Sequence, residues 1–139
     1  MLGVGCEKKE KNEEFTEKEF FKFSDFGCED IPWYIKPGYA NNHYVITTQQ
    51  ELEKHIEINC IPQIDFDKYF VVIGSKSFTT GVSIVDEKVE ENNIEVIYTI
   101  TFLTNNAAVA LGLSYHIVIK KTVNKSDKNI EILEIIKQQ

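Results

Sequence analysis

Histidines and serines are the residues of this chain that could carry out nucleophilic catalysis. The three histidines are His43, His55 and His116, and no two of them have the spacing that places two zinc ligands on one helix face. His116 could meet one of several serines, but no serine lies in the Gly-x-Ser-x-Gly turn that exposes a nucleophile. His116 is therefore predicted to occupy a half-exposed strand position rather than to act as a base.

Oxygen ligands for a metal ion are concentrated at Asp65-Phe66-Asp67. This segment begins like a calcium-binding loop, but the third ligand, the central glycine and the closing glutamate are absent. We therefore predict that these aspartates cap a turn. Glycine-rich phosphate-binding motifs are also absent, and nothing among the 22 acidic residues singles out a catalytic pair. The sequence thus predicts a protein that is not an enzyme, with no metal site and no cofactor.

The first residues resemble the end of a bacterial lipoprotein signal. Small residues, Gly3-Val4-Gly5, stand directly before Cys6, and a charged run follows the cysteine. The resemblance implies a lipid on Cys6, an extracytoplasmic location at the membrane, and a flexible tether over residues 1–14 with too little apolar surface to fold. The alternative is a disordered N-terminus with a chance cysteine.

Cys28 and Cys60 are the two remaining cysteines. In an oxidising compartment two such cysteines are expected to form one disulfide. Closing a loop of about 32 residues would stabilise the fold by roughly 3–4 kcal/mol in the chain-entropy model. Two buried free thiols, packed as small apolar groups, are the alternative.

Length and charge limit the class of protein. The 139 residues are enough for one domain, which we place at residues 15–139. The formal net charge of −7 opposes binding to nucleic acid and adhesion to an anionic membrane through surface charge. The sequence contains no apolar run long enough to cross a bilayer, so contact with a membrane is expected through the lipid alone.

Apolar periodicity predicts an α+β, mostly β fold. Thr48 and Glu51 match a capping box, and Leu52, His55 and Ile56 follow on one helical stripe, which predicts a single helix near residues 49–58. Alternating or continuous apolar runs predict about six or seven strands in a largely antiparallel sheet or sandwich. These runs lie near residues 18–25, 44–47, 69–74, 82–89, 94–102, 114–121 and 130–136, and the last of them could equally be a terminal helix. Turns or loops are expected between strands at residues 75–81, 90–93 and 104–112.

One region also resembles a known family. A strand from Tyr69 to Gly74 is followed by Thr80-Gly81, and a later strand contains Tyr115 and Ile117-Val118. This layout, over residues 69–121, resembles the PrcB-like domain, a subunit associated with a surface protease complex. In that family a strand ends at a Pro-Thr-Gly-Gly-Tyr-like loop, and a Pro-Tyr-x-Ile-Val strand closes the domain. The resemblance implies a protein partner, with proteases among the partners.

The expected binding residues are Phe78, Thr79, Thr80 and Gly81. They form either an exposed recognition loop, used together with a second loop at Thr104–Gly112, or an ordinary sheet connection with Phe78 turned inward. A protein-binding module of the cell envelope is the function that we expect. The alternative is a lipoprotein that binds a small ligand, with the phenylalanine-rich N-terminal strand and Trp33 lining an aromatic pocket.

Overall fold

The computed structural model describes residues 14–28, 34–35, 41–57, 60–122 and 128–139. Within these residues the chain forms eight strands, one α-helix and one short 3-10 helix at Phe23–Phe26. The elements in chain order are β1 (Thr16–Lys18), β2 (Phe20–Phe21), β3 (Tyr34–Ile35), β4 (Asn42–Ile46), α1 (Gln49–His55), β5 (Ile56–Glu57), β6 (Tyr69–Glu91), β7 (Glu95–Lys120) and β8 (Asn129–Gln138).

The predicted fold class is confirmed, because strands dominate and one α-helix accompanies them. Six strands form one sheet in the order β1-β6-β7-β2, in which β4 also pairs with β6 and β8 with β7. β1 and β4 pair antiparallel with β6, and β2 pairs antiparallel with β7, whereas β8 runs parallel to β7. The two short strands β3 and β5 pair separately and antiparallel.

The two longest strands, β6 and β7, are longer than the sequence predicted. Turns had been expected at residues 75–81 and 104–112, yet both stretches lie inside strands, in β6 and β7. These two strands are neighbours in the sheet, and backbone pairing outweighs the weak strand preference of glycine, asparagine and alanine. The strands predicted at 69–74 and 82–89 are therefore one continuous strand, β6. Those predicted at 94–102 and 114–121 are likewise one strand, β7.

The turn between β6 and β7 lies slightly later than its predicted place at residues 90–93. The Asn92 backbone N–H donates to the Glu95 carbonyl at 3.0 Å. The Asn92 side-chain oxygen accepts from the N–H groups of Ile94 and Glu95, at 3.0 and 2.9 Å. One asparagine therefore satisfies the backbone of the tight connection.

The chain divides into two compact units, each assembled from separate segments. Of the described residues, the first unit contains 14–19, 82–105 and 128–139, and the second contains 20–28, 34–35, 41–57, 60–81 and 106–122. In the first unit, alternate residues of β7 are buried, as the period-2 pattern predicted. The fully buried side chains there include Tyr98, Ile100 and Phe102.

In the second unit, a hydrophobic core joins α1 to the central strands. Its buried members are Phe23, Ile46, Leu52, Ile56, Ile64, Val71, Ile73 and Val118. Burying a leucine side chain such as Leu52, which is fully inaccessible, contributes about 1.5–3 kcal/mol. The helix is therefore held by its apolar stripe, since seven residues are too few for a stable isolated helix.

α1 is capped by Thr48 and Glu51, as the sequence predicted, but the helix ends earlier than predicted. The Thr48 hydroxyl accepts from the Glu51 backbone N–H at 3.1 Å. The Glu51 carboxylate accepts from the Thr47 backbone N–H at 3.4 Å, one residue before the expected position. The helix stops at His55 because Ile56 turns extended and pairs with Ile35.

The strand predicted near residues 18–25 is broken into β1, β2 and the 3-10 helix. The break begins at Lys22, whose backbone N–H donates to the Asp25 carboxylate at 2.9 Å. Gly27, with a φ of 90°, ends the 3-10 helix in a conformation that favours glycine. As a result, Phe23 is carried into the core rather than along a strand face.

Candidate functional site

The residues expected to bind a partner lie in β6 as an extended strand. Phe78 is buried, with 8% of its surface exposed. Thr79 is exposed, while Thr80 and Gly81 are half-buried. The expectation of a loop is wrong here, and Phe78 has the inward position of the second interpretation. A partner could therefore reach Thr79 directly but not the ring of Phe78.

A stretch of the neighbouring strand β7 is open on both of its faces. Residues 106–110, Asn-Ala-Ala-Val-Ala, are all exposed, and Val109 is the largest apolar side chain among them at 42%. Because successive side chains of a strand point to opposite faces, exposure of five in a row leaves both faces uncovered. We name residues 78–81 and 106–110 the uncharged ribbon.

The uncharged ribbon lies in a part of the chain without ionised side chains. No Asp, Glu, Lys or Arg occurs from Ser77 to Val85 or from Thr104 to Tyr115, although charged residues make up 27% of the sequence. Protein interfaces are depleted of charge at their centres, because a charge buried there must be desolvated. Methyl and hydroxyl groups on a flat strand surface therefore suit contact with another protein. The lack of charge in these two stretches is the signal in the sequence from which this surface could have been predicted.

His116 of β7 lies against the start of the 3-10 helix. Its Nε2 accepts a hydrogen bond at 3.0 Å from the backbone N–H of Phe23, so the ring proton is on Nδ1. Burial, together with the positive charge of Lys22, lowers the pKa of His116 to about 3. The Lys22 ammonium donates to the backbone carbonyl of His116 at 2.8 Å. The imidazole is therefore neutral at physiological pH and its basic nitrogen is occupied.

Asp65 and Asp67 form a turn, as the sequence predicted. The Asp65 carboxylate accepts from the Asp67 backbone N–H at 3.0 Å, and its carbonyl accepts from Lys68 N–H. A polar depression of about 540 Å³ lies beside this turn, and the Lys121 ammonium at its wall donates to the Phe66 carbonyl at 2.7 Å. In the described residues, no three His, Cys, Asp or Glu side chains are grouped as metal ligands would be.

The aromatic residues near the start of the second unit pack against one another. Tyr69 contacts Phe21 and Phe26 edge to face, with ring centroids 5.8 and 5.2 Å apart. The Phe21 and Phe26 rings also meet edge to face, at 6.4 Å. Phe21 and Phe26, which belong to the phenylalanine-rich segment expected to line a pocket, therefore pack against other rings. Trp33, also expected there, is outside the described residues.

Cys28 and Cys60 form a disulfide, with Cα atoms 5.7 Å apart and a sequence separation of 32. Of the two interpretations left open by the sequence, the bonded one is confirmed. Cys28 is buried, with 2% of its surface exposed. Cys6 and the remainder of the tether up to residue 13 lie outside the described residues.

No family model, curated protein or solved structure matches the chain. The PrcB-like resemblance therefore stays a prediction from the residues that carry it. Among the described residues, no helix has the length and apolar character needed to cross a membrane.

Proposed function

We propose that this chain is an extracytoplasmic, lipid-anchored domain that binds a partner protein through the uncharged ribbon. The observation that carries the proposal is the exposure of residues 106–110 on both faces of a strand, in a stretch without charged side chains. Among the described residues, the other strands that pair with β6 and β7 do so outside residues 78–81 and 106–110. A two-stranded ribbon in water is marginally stable, so a covering partner would stabilise it.

The proposed contact surface includes the exposed side chains of Thr79 and Val109. Thr79 is exposed in β6, and Val109 is exposed in the neighbouring strand β7. A partner that covers them should present an apolar or hydroxyl-bearing surface, because an ionised group there would lose its water without gaining a counter-charge. Aromatic anchors on the partner would suit the flat surface left by glycine and alanine.

The proposed partner is a protein of the cell envelope, and the PrcB-like resemblance makes a protease complex the first class to test. The disulfide Cys28–Cys60 is compatible with an oxidising compartment outside the cytoplasm. Lipidation of Cys6 would hold the domain at the membrane on its tether. In this arrangement the domain docks onto its partner or restrains it, and performs no chemistry.

The alternative, a binder of small apolar ligands, receives no support from the described side chains. Phe21, Phe26 and Tyr69 make edge-to-face contacts with one another. The depression beside Asp65 and Lys121 is lined largely by polar residues. Neither arrangement has the apolar concavity with a few converging polar groups that is typical of such sites.

Affinity purification from the native envelope tests the proposal. Wild type is compared with Thr79→Arg and Val109→Arg, which place a charge on the uncharged ribbon. Ile94→Arg is the matched control, because Ile94 is an exposed aliphatic residue, at 55%, in the β6–β7 turn. We expect both ribbon variants to lose a partner that wild type and Ile94→Arg retain. Recovery of the same partners with every variant would remove the ribbon from the proposal.

A further inference from the structure

β8 is an outer strand of the first unit in the described part of the chain. It pairs with β7, and no other described strand pairs with it. Its aliphatic side chains are unusually accessible: Leu133 is 42% exposed, Ile135 40% and Ile136 51%. A long edge strand with exposed aliphatic residues is a template for pairing with another strand, unless it is covered or interrupted.

The backbone of β8 shows which residues face that outer edge. Asn129 N–H donates to the Ile94 carbonyl at 3.1 Å, and Gln139 N–H donates to the Thr104 carbonyl at 2.9 Å. In a parallel pair alternate residues face the neighbouring strand, so odd-numbered residues of β8 bond to β7. Ile132 and Ile136 therefore direct their N–H and C=O groups towards the outer edge.

We infer that β8 pairs antiparallel with β8 of a second copy of this chain, about a twofold axis at residue 134. In that register, residues whose backbone N–H and C=O groups face the outer edge lie opposite one another, and Ile132 of one copy pairs with Ile136 of the other. It also brings Glu131 opposite Lys137, and Leu133 opposite Ile135, on the other face. Opposite charges and aliphatic pairs directly across two strands both stabilise a sheet.

The neighbouring registers lack this complementarity. An axis at residue 133 places Ile132 opposite Glu134, and an axis at residue 135 places Leu133 opposite Lys137. In neither of these does Glu131 meet Lys137. The charge pattern of β8 therefore selects one self-complementary alignment.

The pairing ends at a dimer, because each copy offers one β8 edge and a twofold contact uses both. The dimer is expected to be weak, since a single strand pair buries little surface. The two Glu134 carboxylates also approach each other at the axis and repel. The surface belongs to the first unit, and the inference does not depend on the proposed envelope partner.

Sedimentation velocity of the full chain, over a series of protein concentrations, tests the inference. Cys6→Ser is included in every sample so that no disulfide can join two copies. Glu131→Lys or Lys137→Glu replaces two attractive pairs by two repulsive ones, which should weaken the dimer on the order of tenfold. The double variant Glu131→Lys, Lys137→Glu restores both pairs and should regain the wild-type affinity.

Two further variants separate this register from a general effect of charge. Lys120→Glu changes the net charge as Lys137→Glu does, at an exposed position of β7, and should leave the dimer unchanged. Glu134→Gln removes the repulsion at the axis and should strengthen the dimer. Circular dichroism confirms that each variant is folded. A monomer at every concentration, no recovery in the double variant, or equal weakening by Lys120→Glu would overturn the inference.

Discussion

The imidazole of His116 is stacked on the ring of Phe23, with centroids 4.0 Å apart and planes 20° from parallel. The same two residues share the hydrogen bond from the Phe23 backbone N–H to the His116 Nε2. This contact fixes the start of the 3-10 helix against β7 within the second unit. It needs a neutral imidazole, because a protonated Nε2 would itself be a donor facing an N–H group.

We therefore predict that the protein loses stability when the pH falls below about 6.5. The folded-state pKa of His116 is about 3 and the unfolded value is 6.5, so the unfolded chain binds the proton first. Between these values the free energy of unfolding should fall by up to about 1.4 kcal/mol per pH unit, and the stabilisation is fully present above pH 6.5.

Urea denaturation at pH 5 to 8 measures this dependence. His116→Gln cannot titrate, and it should reduce the slope by roughly one proton while lowering stability at pH 7. Both proteins contain His43 and His55, so the difference between the two pH slopes reports on position 116. Equal slopes for wild type and variant would show that His116 is accessible and titrates normally in the folded state.

Gly74 lies beneath the ring of Tyr115. A Cβ added at position 74 would collide with that ring, whereas one added at Gly112, also in a strand, would meet nothing within 4 Å. We expect Gly74→Ala to destabilise the fold by about 1–3 kcal/mol through overpacking. Gly112→Ala is the matched control and should be neutral or slightly stabilising, because alanine restricts the unfolded chain. Chemical denaturation of the two variants provides the comparison, and equal effects would rule out the ring as the cause.

Glu91 joins two cations in the first unit. Its carboxylate oxygens lie 2.9 Å from the ammonium groups of Lys18 and Lys128, and all three side chains are less than one-fifth exposed. Glu91→Gln should cost about 1–3 kcal/mol of unfolding free energy, because partly buried charge-assisted hydrogen bonds are lost.

The pair between Lys88 and Glu90 is the internal control for Glu91. Its atoms are 3.7 Å apart, and the Lys88 side chain is 43% exposed. Lys88→Gln should change stability by less than about 1 kcal/mol, as is usual for surface pairs. Thermal unfolding in low and high salt compares the two. A larger effect at Lys88 than at Glu91 would contradict the assigned geometry.

The disulfide is predicted to supply about 3–4 kcal/mol of stability, mainly by restricting the unfolded chain. The double variant Cys28→Ala, Cys60→Ala should show this loss in denaturant unfolding, while Cys6→Ser should have no effect on the folded domain. A thiol count on unreduced, denatured protein produced without the lipid should detect Cys6 but neither of the other two. Detection of all three thiols would contradict the bonded pair.

Local signals in the sequence predicted the elements whose structure depends on local contacts. The Thr48 cap and the apolar position of Leu52 belong to one short segment, so the helix could be placed from its residues alone. The buried residues of β7, including Tyr98 and Ile100, were also predicted, because apolar residues at every second position mark the buried face of a strand.

The missed features depend on contacts between distant segments. Gly81 and Asn105 favour turns when read locally, but β6 and β7 are neighbouring strands and remain extended through both positions. The pairing of β8 with β7 could not be predicted either, because β8's apolar residues suit a strand or a helix equally. The sequence left two positions open for Phe78, exposed or turned inward, and only tertiary packing decides for the buried one.

Site-specific photocrosslinking in intact cells tests the proposed function most directly. A photoreactive amino acid is placed at position 109 of the uncharged ribbon, or at position 94 in the β6–β7 turn as the control. Protein binding through the ribbon predicts a discrete crosslinked adduct from position 109 that is absent from position 94. No adduct from position 109, or identical adducts from both positions, would contradict it.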